Sequence, residues 1–108
     1  MDYYDYSDED KELKSVGLEL MFLTPERYAA KNDGITAVEL AKLVELPVET
    51  VKKKLNILKE KDIVTVKGIN PKYWKFNEFN FQRLDEDDDV FRLLCSFDDV
   101  DFDKYFSY

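Results

Sequence analysis

Five polar residues in the middle of the chain have side chains of the kinds that contact nucleic acids, and they are Glu49, Thr50, Lys52, Lys53 and Asn56. A lysine ammonium group binds phosphate oxygens or guanine acceptors, and an asparagine carboxamide matches the donor and acceptor of adenine. Glu49 can accept a hydrogen bond from cytosine, but a helical pair with Lys53 accounts for it equally well. A lysine-rich face is also common on helices that meet only solvent. Whether these side chains contact nucleic acid or only solvent therefore depends on the element that carries them.

That element is the second of two short predicted helices. Thr36, with Glu39 three residues later, forms a capping box that begins the first helix at Ala37. Pro47 interrupts the helical pattern because proline lacks the amide donor that a helix interior needs. The second helix, residues 47–61, has an apolar stripe consisting of Val51, Leu55 and Leu58. The sequence thus predicts a helix pair joined by a tight turn, with the polar residues facing outward.

A β-hairpin is predicted directly after the helix pair. Residues 63–67 and 72–77 have the period of strands, and the Gly-Ile-Asn-Pro segment between them supplies a turn. One face of the second strand carries Trp74 and Phe76, which we expect to cover the core. The projecting hairpin also carries Lys67, Lys72 and Lys75, which are expected to contact phosphate. Tyr73 completes the expected nucleic-acid contacts of the hairpin, as the aromatic residue left free to stack on single-stranded bases.

The stretch from Leu40 to Phe76 resembles the winged helix-turn-helix of small prokaryotic transcriptional regulators, the group that includes MarR-like and ArsR-like repressors. The segments that carry the resemblance are AVELAKLVELPVETVKKKL, LKEKDIV and KYWKF. It implies that helix 47–61 enters the major groove of double-stranded DNA and that wing 63–77 grips the backbone. Two positions depart from the family, because Glu45 and Asp62 stand where glycine is usual. Aspartate tolerates a left-handed backbone, whereas glutamate there is strained by about 1 kcal/mol.

Both ends of the chain add a predicted helix. The first begins at Ser7 and is apolar on more than one side, so it is either central in one subunit or shared between two. The second follows the acids at 85–89, which favour the positive end of a helix dipole. In the MarR-like group such helices commonly build the dimer. The resemblance thus implies a homodimer, to which the competing arrangement is packing of these helices on their own domain. The residues expected at the dimer interface are Val16, Leu20, Met21, Leu93, Leu94 and Phe97.

The predicted fold class is mainly α with a small antiparallel β-wing, an α+β winged helix-turn-helix with extra terminal helices. Residues 1–7 are expected to be a mobile acidic segment, 8–84 the winged helix domain, and 85–108 an acidic C-terminal helix and tail. A short helix or an irregular loop is predicted from Thr24 to Gly34. Phe79 and Phe81 alternate after the wing and are expected to lay the chain back across the core.

The composition narrows the functional classes. The net charge is -8, but the acids are concentrated at the two ends, and residues 13–84 hold an excess of lysine and arginine. The chain has no histidine, which is the commonest general base and metal ligand, and its single cysteine, Cys95, allows neither a disulfide within the chain nor a metal site made of several thiolates. The acidic runs do not follow a calcium-loop pattern. We therefore expect no enzyme, no metal and no cofactor, and, without a signal peptide or an apolar span, a cytoplasmic protein.

Two functions remain from the sequence. The first is a sequence-specific regulator of transcription that binds double-stranded DNA. The second is a winged-helix module for protein–protein interaction, in which the acidic and aromatic termini contact a partner protein. The second draws support from the net charge and from Glu49, Ile57 and Glu60 on or near the predicted reading face.

Overall fold

The computed structural model describes residues 7–22 and 34–96. Within these ranges the helices are α1 (Asp8–Met21), α2 (Ala37–Val44), α3 (Val48–Glu60), α4 (Glu78–Gln82) and α5 (Asp89–Leu94), and the strands are β1 (Val64–Lys67) and β2 (Tyr73–Phe76). This part of the chain is mainly helical with a small two-stranded antiparallel sheet, so the predicted α+β class is confirmed. Three predicted segments lie outside the described residues. They are the N-terminal segment except for Ser7, the helix or loop from Thr24 to Gly34 except for Gly34, and the C-terminal tail beyond residue 96.

Polar side chains begin the first two helices, as the sequence predicts. Ser7 Oγ accepts a hydrogen bond from the backbone N–H of Asp10 at 3.1 Å, and Thr36 Oγ1 accepts one from Glu39 at 3.2 Å. The Thr36 hydroxyl also donates to Glu39 Oε1 at 3.1 Å. Each cap satisfies a backbone donor that has no partner within its own helix, which anchors the helix start.

Left-handed residues end α2 and follow α3. Glu45 has φ 58° and ψ 44°, and Asp62 has φ 62°. After Glu45 the backbone N–H of Leu46 returns to the Ala41 carbonyl at 3.1 Å, and α3 begins after Pro47. Glu45 and Asp62 therefore both adopt the left-handed backbone that favours glycine.

Helix α1 is the central helix of this chain, since it packs against α2, α3, α5 and β2. At Gly17 an added Cβ would lie 2.6 Å from Leu94 Cδ2, so the close approach at this glycine is to a side chain of α5. Four residues of the predicted dimer interface are buried within the single chain, and they are Val16, Leu20, Leu93 and Leu94. Met21 is half-buried, and Phe97 lies outside the described residues. In the single chain these two helices thus pack on their own domain, which is the arrangement that competes with a homodimer. The homodimer stays a prediction.

The sheet has an inward and an outward face. In its register Val64 pairs with Phe76 and Val66 with Trp74, and these four side chains face the core. Ile35 forms a separate antiparallel bridge with Trp74 of β2. The Ile35 N–H donates to the Trp74 carbonyl at 2.9 Å, and the Ile35 carbonyl accepts from the Trp74 N–H at 2.7 Å. This bridge connects the start of α2 to the hairpin, and no local sequence pattern predicts it.

The segment of Phe79 and Phe81, expected to lay the chain back across the core, brings only Phe81 into the core. The segment forms the short helix α4, in whose first turn the backbone N–H of Asn80 donates to the Asn77 side chain at 3.0 Å. Residues two apart lie on nearly opposite sides of a helix. Phe81 is accordingly buried, whereas the Phe79 side chain is 68% exposed, with the Arg83 guanidinium 5.5 Å from its ring centroid.

Asp88 joins the end of α3 to the start of α5. Its Oδ1 accepts hydrogen bonds from the backbone of Val90 at 2.9 Å and Phe91 at 3.3 Å, and its Oδ2 lies 2.7 Å from Lys61 Nζ. The hydrogen bond from Lys61 lowers the pKa of Asp88, and the same bond raises the pKa of Lys61. The carboxylate therefore stabilises the fold above its ordinary pKa, and this contribution is lost as the pH falls through the lowered value.

We expect Asp88→Ala to lower the free energy of unfolding by about 1 kcal/mol, because alanine removes the helix cap. Asp88→Asn keeps a capping oxygen and loses only the charge, so its effect should be smaller. Urea unfolding at neutral pH measures both changes. On acidification the difference between the native protein and Asp88→Asn should shrink below the ordinary carboxyl pKa and vanish once the pH is below the lowered pKa of Asp88, and a difference that persists there contradicts the role of the ion pair.

Candidate nucleic-acid interface

Side chains from three elements line one cleft of about 380 Å³. The start of α2 forms one wall, α3 forms the second, and the hairpin turn with the adjoining end of β2 forms the third. The residues that line this cleft are Thr36, Ala37, Val38, Lys52, Asn56, Ile69, Asn70, Pro71, Lys72 and Trp74. The cleft thus combines two ammonium groups and two carboxamides with aliphatic side chains.

Local and long-range contacts together bring these walls into place. Lys52 and Asn56 are four residues apart on α3, so they lie on the same side of that helix. The Ile35 bridge to Trp74 holds the start of α2 beside the hairpin. Gly68 has φ 86°, and a Cβ there would lie 2.7 Å from the Pro71 carbonyl oxygen, so the hairpin turn closes tightly. The cleft is therefore a consequence of the tertiary fold.

The charge around the cleft differs from that of the whole chain. Residues 64–77 carry three lysines and no acid, although the net charge of the protein is -8. On α3, Lys52 faces the cleft, whereas Lys54 points toward α1, where its Nζ lies 3.7 Å from Glu12 Oε1. The exposed side of α3 also carries Glu49 and Glu60. The hairpin and the adjoining flank of α3 thus form a more cationic surface than the outermost side of α3.

The structure separates the sequence-predicted site residues into groups. Lys52, Asn56 and Lys72 line the cleft. Glu49 and Lys53 are exposed elsewhere on α3, and Thr50 is half-buried. The remaining three, on the outward face of the sheet, are Lys67, Tyr73 and Lys75. Of these, Tyr73 is half-buried and the two lysines are exposed. Lys67 and Tyr73 also interact with other groups of the chain. The predicted set is therefore divided between the cleft and the outward sheet face.

Two exposed aliphatic residues of the cleft are missing from the sequence-predicted site. The Val38 side chain is 51% exposed, and the Ile69 side chain is 89% exposed. Val38 carries no sequence signal, because a valine in a short helix normally indicates core. Ile69 does carry one, since it is a β-branched residue in a turn that otherwise consists of Gly, Asn and Pro, residues suited to turns.

No family model, curated protein or solved structure matches the chain. Among the described residues, no helix is both long enough and apolar enough to cross a bilayer. In the same part of the chain, no three His, Cys, Asp or Glu side chains are grouped in a way that suits a metal ion. The function of this chain therefore has to be inferred from the geometry and charge of the cleft and the hairpin.

Proposed function

We propose that the protein is a winged helix-turn-helix regulator of transcription that binds double-stranded DNA in a sequence-specific manner. In this proposal α3 enters the major groove and the hairpin is the wing that contacts the backbone, while α1 and α5 are additions to the winged domain. The observation that supports it is the meeting of Lys52 and Asn56 of α3 with Lys72 of the hairpin around one cleft.

The chemistry of the cleft fits a DNA backbone that runs between α3 and the hairpin. Lysines on the two sides of the cleft can contact phosphate oxygens of the same strand, and such contacts fix the orientation of a protein on the duplex. With the backbone in that place, Asn56 lies beside the base edges, where its carboxamide matches adenine. Phosphate contacts supply affinity, and contacts from the exposed side of α3 supply sequence preference.

The net charge sets the expected dependence on salt. A protein with a net charge of -8 is repelled by DNA at long range, so binding has to come from the local positive charge of the hairpin and the flank of α3. Each phosphate contact releases condensed counterions, and the logarithm of the affinity then falls linearly with the logarithm of the salt concentration. Complex formation should therefore be clear at low salt and fall steeply as salt is added.

Selection from a pool of random-sequence duplexes tests the proposal. We expect the full chain to enrich a common motif, and fluorescence anisotropy should show that its affinity falls between about 50 mM and 200 mM salt. A scrambled duplex of equal composition is the control for specificity. Failure to enrich a motif, together with failure to shift any duplex at about 50 mM salt, would contradict the proposal.

A homodimer belongs to the same proposal. A two-fold symmetric pair would place its two α3 helices about 34 Å apart, one turn of DNA, and would bind a palindromic site. The selected motif tests this, because a dimer requires two inverted half-sites about 10 base pairs apart. Sedimentation of the free protein provides an independent measurement. A single, asymmetric motif bound by one copy would contradict the dimer but not the DNA-binding function.

A second candidate is the docking of a partner protein, and the exposed aliphatic residues favour it. Val38 and Ile69 lie on the same cleft as two lysines, an arrangement that also suits a peptide with aliphatic and acidic side chains. The single tryptophan, Trp74, lines the cleft and can report occupancy through its emission. If acidic peptides from a display library change this emission and duplexes do not, the second candidate replaces the first.

A further inference from the structure

The tip of the hairpin presents an aliphatic side chain to solvent. The Ile69 side chain is 89% exposed, a larger fraction than for any other large hydrophobic residue among those described. Single exposed aliphatic residues are common on protein surfaces and need no explanation by themselves. Ile69 is different in its position, because it lies at the turn of a projecting ribbon, between Gly68 and Asn70.

A tight turn carries Ile69. The strand pairing continues to Lys67 and Tyr73, the residues that flank the turn. Inside the turn, the position that a Gly68 Cβ would occupy lies 2.7 Å from the Pro71 carbonyl oxygen. The turn is therefore closed tightly against itself, and the Ile69 side chain points away from the core without a hydrophobic neighbour that would cover it.

The charge around the tip indicates what kind of partner covers Ile69. Residues 64–77 contain three lysines and no acid, and Lys72 lies only three residues from Ile69. A partner that suits this surface is apolar at its centre and anionic at both sides. A base-pair step of duplex DNA has this character, because the stacked bases lie between two phosphate backbones.

We infer that Ile69 inserts as a wedge between two adjacent base pairs of bound DNA, partly unstacks them and bends the duplex. This inference rests on the proposed DNA-binding function and specifies what the wing tip does there. Aliphatic side chains that enter base steps from a groove kink DNA in this way, and the unstacking requires a few kcal/mol per step. The phosphate contact of Lys72 beside the step offsets part of that cost.

A wedge at Ile69 would also affect which DNA sequence the protein prefers. Pyrimidine–purine steps such as TA unstack and kink most easily, so a wedge favours them even without a hydrogen bond to a base. The preferred step should lie beside the bases read by α3, because the hairpin turn and α3 form walls of the same cleft. The motif selected by the protein should therefore contain a TA or CA step next to its core.

The test uses a duplex of about 30 base pairs, short against the persistence length of DNA, with 2-aminopurine beside a TA step and a dye at each end. Binding of the full native chain should raise the 2-aminopurine emission, which reports unstacking, and increase energy transfer between the dyes, which reports bending. Ile69→Ala should lose both signals and still bind the duplex. Phe79→Ala is the matched control, since it removes another exposed hydrophobic side chain, one that does not line the cleft, and should retain both signals.

The possible results separate this inference from the function it rests on. If the native chain binds the duplex but leaves it stacked and straight, the wedge is wrong and the DNA-binding proposal stands. If Ile69→Ala retains both signals, another residue deforms the DNA and the assignment to Ile69 is overturned. If neither chain binds any duplex, both proposals fail.

Discussion

Gly34→Ala should lower the free energy of unfolding by about 2–6 kcal/mol, the sum of backbone strain and steric overlap. Gly34 has φ 118°, a conformation that L-residues rarely adopt, and an added Cβ would lie 2.4 Å from the Trp74 carbonyl oxygen. That oxygen accepts the hydrogen bond from the Ile35 N–H, so neither group can move away without breaking the bridge. The loss is large compared with the total stability of a small domain, which is about 5–15 kcal/mol.

Gly17→Ala is the matched control for this prediction. Its Cβ would also overlap another group, but that group is the end of the Leu94 side chain, and Gly17 lies inside a helix, where alanine is favoured by about 1 kcal/mol. The gain in helix propensity offsets part of the overlap, so Gly17→Ala should be the milder change. Urea unfolding of both variants provides the measurement. Equal losses in the two would show that the backbone at Gly34 is not the determining factor.

The double variant Lys52→Ala with Lys72→Ala should weaken binding to the selected duplex about a hundredfold at about 0.1 M salt. Counterion release makes each lost phosphate contact worth about tenfold at that concentration, and the two lysines lie on different walls of the cleft. The slope of the logarithm of affinity against the logarithm of salt should decrease in magnitude by about 2, one for each contact. Anisotropy titrations at several salt concentrations measure both quantities.

A control of equal charge separates the cleft from the overall electrostatics. Lys11 of α1 and Lys42 of α2 are exposed, and neither lines the cleft. Their double replacement by alanine removes the same two positive charges and should change the affinity much less. If the two double variants lose affinity equally, the binding depends on net charge and the cleft is not the contact site. Lys75→Ala then shows whether the outward sheet face contributes separately.

Much of the local structure follows from residues a few positions apart. Thr36 with Glu39 begins α2, Pro47 separates α2 from α3, and Asp88 begins α5, because caps and breakers act within one helical turn. The change from helical to strand period after α3 likewise predicts both strands to within one residue at each end. The fold class can therefore be derived from the sequence alone, since these interactions do not depend on the rest of the chain.

The arrangement of these elements depends on contacts that are distant in sequence. Hydrophobic periodicity shows that α1 is buried but not which elements bury it, and only the tertiary contacts identify these as α2, α3, α5 and β2 of the same chain. The bridge between Ile35 and Trp74 is equally invisible to local patterns, because strand pairing joins residues without a fixed spacing. Through it the start of α2, α3 and the hairpin enclose one cleft, which includes three of the predicted contact residues and excludes the rest. Residue type thus predicted which side chains suit DNA, and long-range packing decided which of them share a surface.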